Sequence, residues 1–330
     1  MIFHSPNMAM LLASLISVLT FLWAAWFSIQ VVWKWDIKSA HASQLALEQR
    51  TYLVSTALVF VMVIELSSLI LFVFNADDMA GMFVGAMCAL GTLNVNDYGM
   101  PALMLKVGVF FGSAIWLIIN HADGKGRDYP MTRFKYAWLL LLTPLAITSA
   151  GYQLTYFLEL DPNVITSCCS LLFTPDQPGV EAQLASFDPQ LSLYALFVAL
   201  GVMVISGMVL RWKEKGYVVY SLASIGFFVI AIIAIIAVVS SYVYEQPHHH
   251  CPFCILKPEY NYIGYFLYLP LFVATAFAVS NGLLSLQGRA NSLKTELPLI
   301  LKRNTTISTA LFAVFGIITI YIIISSNLIL

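Results

Sequence analysis

Eight stretches of mostly apolar residues, each long enough to cross a bilayer, leave this chain one class of fold. They fall at about 8–33, 53–74, 101–120, 136–158, 190–210, 217–243, 262–286 and 305–326. A hydrocarbon core of about 30 Å is spanned by roughly 20 residues of α-helix. No water inside that core satisfies backbone N–H and C=O groups, so a spanning segment is either a helix or a strand of a closed barrel. Barrel strands alternate apolar and polar residues over about ten positions, whereas these runs are continuously rich in Leu, Ile, Val, Phe and Ala. The expected fold is therefore all-α: a polytopic membrane protein with eight transmembrane helices, with residues 1–330 forming a single integral membrane domain. Composition agrees: 60% of residues are hydrophobic and 10% charged, against about 45–50% and about 25% in soluble domains. A water-soluble globule of this make-up could not cover its surface, and a disordered chain is excluded on the same ground. No Lys or Arg precedes the first stretch and no small-residue cleavage site follows it cleanly, so it is expected to persist as a helix.

Positive charges orient the spans. Lys34, Lys38 and Arg50 lie between the first two; Lys125, Arg127, Arg133 and Lys135 occupy the next alternate connection. Arg211, Lys213 and Lys215 follow, then Arg289, Lys294, Lys302 and Arg303, so these four segments hold 14 of the 16 basic residues. The three remaining connections carry Lys257, Lys106 just inside the third span, and ten acidic residues. Both termini are therefore expected on the extracytoplasmic side of a plasma (bacterial inner) membrane. A net charge of -1 offers no basic face for nucleic acid.

The five cysteines follow this polarity. Cys88 lies in the connection 75–100, Cys168 and Cys169 in 160–189, and Cys251 and Cys254 in 244–261, all on the expected outer side. Cysteine is commonly a small buried hydrophobe, so random placement would put several in the spans. The outer, periplasmic-type face is also where disulfides persist.

The most specific segment is Glu245-Gln-Pro-His-His-His-Cys-Pro-Phe-Cys-Ile-Leu-Lys-Pro258. A Cys-x-x-Cys spacing closes a small disulfide loop or grips one soft metal ion. Pro252 suits the first position of a short helix capped by Cys251, whose exposed amides would lower the Cys251 thiol pKa. His248, His249 and His250 add proton acceptors or imidazole ligands. A c-type haem attachment needs His directly after the second Cys, and Ile255 stands there. Adjacent Cys168 and Cys169 rarely bridge each other and are expected to serve separate partners, an exchanging relay or a thiophilic metal. An odd total of five leaves one thiol unmatched at full oxidation. Between Asn75 and Met104 lie Met79, Met82, Met87, Met100 and Met104 beside Cys88, and Met79–Leu93 reads as a helix at the outer interface. Thioether, thiolate and imidazole together select Cu(I); methionine packing irregular gaps is the plainer account.

Two ionisable residues fall inside spans. Glu65 lies nine residues below the outer end of the second span and Lys106 about five into the third. They are expected to form an ion pair or, alternatively, a proton or quinone-head-group site. No histidine is mid-span, which argues against helix-ligated haem, and Pro144 and Pro270 are expected kinks. A parallel four-plus-four internal repeat, offset by about 165 residues, would explain why Tyr98 and Tyr262 differ by 164 and Lys135 and Lys302 by 167.

An outer Cys-x-x-Cys at a helix end with a second cysteine pair in a neighbouring loop is similar in layout to disulfide-generating membrane proteins, which pass electrons to a quinone. The similarity is one of arrangement alone. It implies a membrane thiol–disulfide oxidoreductase in which Cys251 attacks and Cys254 resolves. Cys168 or Cys169 would exchange with an extracytoplasmic protein partner, and Cys88 would be a spare or third relay member. The alternative is soft-metal handling, of copper or zinc, with His248, His249, His250, Cys251, Cys254 and Met87 as ligands. A third reading is a structural or assembly subunit of a respiratory complex, its cysteines only staples.

Overall fold

A computed structural model describes residues 4–36, 41–126, 128–166, 187–287 and 291–328, and every regular element among them is helical. In chain order these are α1 (Ser5–Lys34), α2 (Ala42–Asp78), α3 (Ala89–Leu93), α4 (Gly99–Asp123), α5 (Thr132–Leu158) and α6 (Pro189–Lys213). Then come α7 (Tyr217–Ala234), α8 (Ser240–Tyr244), α9 (Ile263–Gln287) and α10 (Glu296–Ser325). A π-helical turn, Ile235–Val239, joins α7 and α8 into one rod. Among the described residues, eight helices are long and apolar enough to cross a membrane: α1, α2, α4, α5, α6, the α7–α8 rod, α9 and α10.

Helices α2 and α10 overrun their apolar runs, starting at Ala42 and Glu296. The extra turns are rich in Ala, Leu, Gln, Glu, Lys and Arg, good helix formers that need no hydrocarbon around them, and Pro298 falls in the first turn of α10, where its missing N–H costs nothing. Asp188 caps α6, its carboxylate accepting from the Leu191 amide at 2.9 Å, with Pro189 in the first turn. Pro144 and Pro270 both sit inside uninterrupted helices.

The chain divides into two compact units, each holding four of the long helices. The first comprises Met1–Asn75, Leu93–Pro162 and Gln287–Leu297. Its core joins Phe21, Phe27 and Val31 of α1 to Leu58 and Met62 of α2, Trp116 of α4 and Tyr136 of α5. The Tyr136 ring meets Phe27 edge-on at 5.7 Å, and its hydroxyl donates to the Thr51 carbonyl at 3.1 Å. Where α4 turns into α5, the buried Asp123 carboxylate takes the Lys135 ammonium at 2.9 Å, the Met131 amide and the Thr132 hydroxyl. Removing one partner of such a pair leaves a buried charge uncompensated.

The second unit comprises Ala76–Thr92, Asn163–Leu286 and Pro298–Leu330. Antiparallel α9 and α10 are joined by polar contacts of the kind that tie spans together where the hydrophobic effect cannot. The Asn281 amide donates to the Leu301 carbonyl and the Thr305 hydroxyl, both at 3.0 Å, and two turns away Ser308 donates to the Ala274 carbonyl at 2.9 Å. Phe227 of α7 closes on Phe312 edge-on at 5.0 Å.

Residues 79–93 depart from the expected interfacial helix. A 3₁₀ turn, Met79–Met82, is followed by extended backbone at Phe83, and only Ala89–Leu93 is α-helical. Gly85 is the reason. It adopts φ +87, a left-handed conformation natural to glycine, while the Thr166 amide donates to the neighbouring Val84 carbonyl at 3.0 Å. A Cβ on Gly85 would stand 2.1 Å from the Thr166 oxygen.

Candidate metal centre: a buried three-cysteine cluster

The second unit brings the connection that holds Cys88 to the one that holds Cys251 and Cys254. Cys88 precedes α3; Asp77 holds the start of that helix by accepting from the Ala89 amide at 3.1 Å, and the Thr166 hydroxyl donates to the Gly91 carbonyl at 2.9 Å. Cys251 and Cys254 lie between α8 and α9. Glu245, in a left-handed conformation, ends α8, and its carboxylate accepts from the Asn327 amide and side chain. The chain then doubles back along the π-turn. A π-turn displaces the helical hydrogen-bond ladder and recurs at functional sites; here the Ile236 carbonyl accepts from the Ser240 hydroxyl at 3.1 Å and from His250 Nδ1 at 3.2 Å. A carbonyl only accepts, so in this contact Nδ1 of His250 is the donor. Ser241 lies 3.2 Å from the same nitrogen.

Two tyrosines fix the next peptides. Tyr244 donates to the Cys251 carbonyl and Tyr268 of α9 donates to the Pro252 carbonyl, the latter at 2.9 Å. The Tyr244 ring also stacks on His249, with centroids 4.1 Å apart. Cys254 opens a three-residue 3₁₀ turn, Cys254–Leu256, which lies directly on Gly264; a Cβ there would be 2.7 Å from both the Ile255 and Leu256 side chains.

These restraints bring Cys88, Cys251 and Cys254 together with their sulfurs all within 4.8 Å of one another. Cys88 Sγ and Cys251 Sγ are 3.4 Å apart. The residues are 0%, 1% and 6% exposed, and all three are present as thiols. Among the described residues, no other group of three or more Cys, His, Asp or Glu converges in this way.

The expected thiolate at Cys251 is not what this environment favours. Its hydrogen bond with Cys254 pushes the Cys251 thiol well above the ordinary range; the contact with Cys88 opposes this, and burial adds to the rise. The helical turn starts at Cys254 rather than Pro252 and is three residues long, and the Phe253 amide alone opposes the rise from the backbone side. Burial, and then the His250 imidazole, move His249 below the usual histidine range; burial also lowers His250, opposed by its hydrogen bond to the Ile236 carbonyl.

The other predicted residues are placed as follows. His248 is exposed, as is Met87, while Met79 is buried. Cys168 and Cys169 lie outside the described residues. Glu65 and Lys106 belong to the first unit, and Lys106 does not pair directly with the carboxylate: its ammonium donates to Ser68 at 2.7 Å and lies 5.4 Å from the centroid of the Phe72 ring. Ser68 is nearly one turn along α2 from Glu65 and supplies the closer oxygen. Tyr244, Tyr268, Gly264 and the π-turn, all of which shape the cluster, carried no signal in the cysteine spacing.

No protein-family model matches the chain, and neither a curated protein nor a solved structure matches it. Fold and site together define a polytopic helical membrane protein with a buried cysteine triad.

Proposed function

We propose that the chain is a membrane metal-binding protein whose Cys88, Cys251 and Cys254 hold one soft metal ion of the Cu(I) type on the extracytoplasmic side. The observation that carries this reading is the convergence of three buried sulfurs within 4.8 Å. Metal–sulfur bonds of about 2.3 Å put the sulfurs of one ion roughly 4 Å apart, between the Cys88–Cys251 distance of 3.4 Å and the 4.8 Å limit of the cluster. Three thiolates with no hard oxygen donor favour a soft cation, and a zinc site would call for a fourth ligand. A bound cation would displace protons from these thiols and offset part of the thiolate charge that a dry site otherwise disfavours.

Metal content of protein purified after copper or zinc loading tests the reading. One ion per chain, lost on Cys251→Ser or Cys88→Ser, is expected. Loading that survives both substitutions contradicts it. The same measurement on a Cys168→Ser/Cys169→Ser chain tells whether those thiols share the ion.

A second reading, thiol–disulfide exchange, is supported by the Cys-Pro-Phe-Cys spacing and the 3.4 Å contact between Cys88 and Cys251. Closing a bond between two of these sulfurs would release two protons and pass two electrons to an acceptor such as a quinone. Burial of all three sulfurs weighs against it, since exchange with a protein partner needs an accessible sulfur. Alkylation with and without reductant, read by mass, separates the two: a reducible pair within the triad favours exchange.

A further inference from the structure

We propose that a groove between α1 and α2, at their Lys34 and Arg50 ends, binds one anionic glycerophospholipid. This inference concerns the first unit and is independent of the cysteine reading. Trp23, Trp26 and Gln30 lie along one face of α1, spaced three and four residues apart, and oppose Arg50 and Leu53 of α2 across a space of about 340 Å³. Phe27 and Val54 form a buried floor, while Trp26, 71% exposed, and Trp23 form an open wall.

The polar groups are confined to one end. Gln30 and Arg50 stand there, and Trp23 lies seven residues, about 10 Å of helix, deeper along α1. That gradient matches a lipid: phosphate at the guanidinium and amide, glycerol and the first methylenes against indole. The volume is near the lower end of small-ligand pockets, about 300–1,000 Å³, sufficient for a head group with its acyl chains left in the bilayer. The lining contains one guanidinium and no carboxylate, so an anionic head group gains an ion pair that a zwitterionic head group partly satisfies with its own amine. Basic pockets between spans recognise anionic lipids on this principle.

The test is lipid retention by the delipidated full chain in detergent, read by native mass spectrometry with phosphatidylglycerol and phosphatidylcholine offered together. The expected result is about a fivefold preference for phosphatidylglycerol, abolished by Arg50→Gln. Trp26→Ala, which keeps the charge, weakens retention of both lipids. Equal retention by the unaltered chain, an undiminished preference in Arg50→Gln, or unchanged retention in Trp26→Ala overturns the proposal. Displacement of the lipid by inorganic phosphate also overturns it, because the groove would then be a plain anion site. Cys251→Ser retains the lipid preference, which keeps this test separate from that of the metal centre.

Discussion

Gly264 sits where the first turn of α9 meets the turn that carries Cys254, with no room for a methyl group. Gly264→Ala is expected to push that turn away from the triad. The cost is about 1–3 kcal/mol, as for other overpacked sites, and metal stoichiometry in the purified variant falls below one. Tyr268→Phe removes only the hydroxyl that donates to the Pro252 carbonyl. It should lower thermal stability by about 0.5–1.5 kcal/mol while leaving an ion in place; complete loss of metal would show that the phenol does more than anchor a peptide. The Cys251 thiol is raised, so metal must displace protons. Apparent affinity is therefore expected to rise with pH, about tenfold per pH unit for each proton released; a pH-independent affinity would contradict thiol ligation. At this scale the sequence was half legible. The cysteines announced themselves by type and spacing, and Cys88 joined them by the side of the membrane expected for its connection. Their protonation did not, because it depends on which sulfurs touch and on how far the short turn extends.

The α7–α8 rod shows what a single element adds. Its π-turn leaves the Ile236 carbonyl to receive His250, fixing the strand of chain that leads into Cys251. Deleting Ala237 would remove the extra residue of that turn and rotate Ser240 and Ser241 by about 100° relative to α7. The predicted outcome is a protein that still inserts in the membrane, by fractionation, but no longer holds metal. Retained stoichiometry would show that the π-turn is dispensable. Long spans are easy to read because the bilayer demands continuous apolar length; all eight expected stretches correspond to helices. Short elements are not. The segment 79–93 reads as a helix from its apolar residues, yet Gly85 and the hydrogen bond from Thr166 to Val84 bend it, and that partner lies far away in the chain. Lys106 is similar: the Glu65 charge acts on it, yet the hydrogen bond of its ammonium goes to Ser68.

For the whole molecule, the distribution of Lys and Arg carries the orientation, and with it the proposal that the triad faces the oxidising side. Epitope tags at either terminus are expected to be reached by antibody on intact cells, or on spheroplasts where an outer membrane intervenes. A tag inserted beside Lys215 is expected to stay hidden; the reverse pattern would place the cysteines in a reducing compartment. The central claim is that the three sulfurs of the second unit share one ion. X-ray absorption at the metal edge of the loaded protein measures this most directly. The account predicts a shell of about three sulfurs near 2.3 Å, reduced in Cys88→Ser. A shell of nitrogen or oxygen alone, or a sulfur count unchanged by Cys88→Ser, would contradict it.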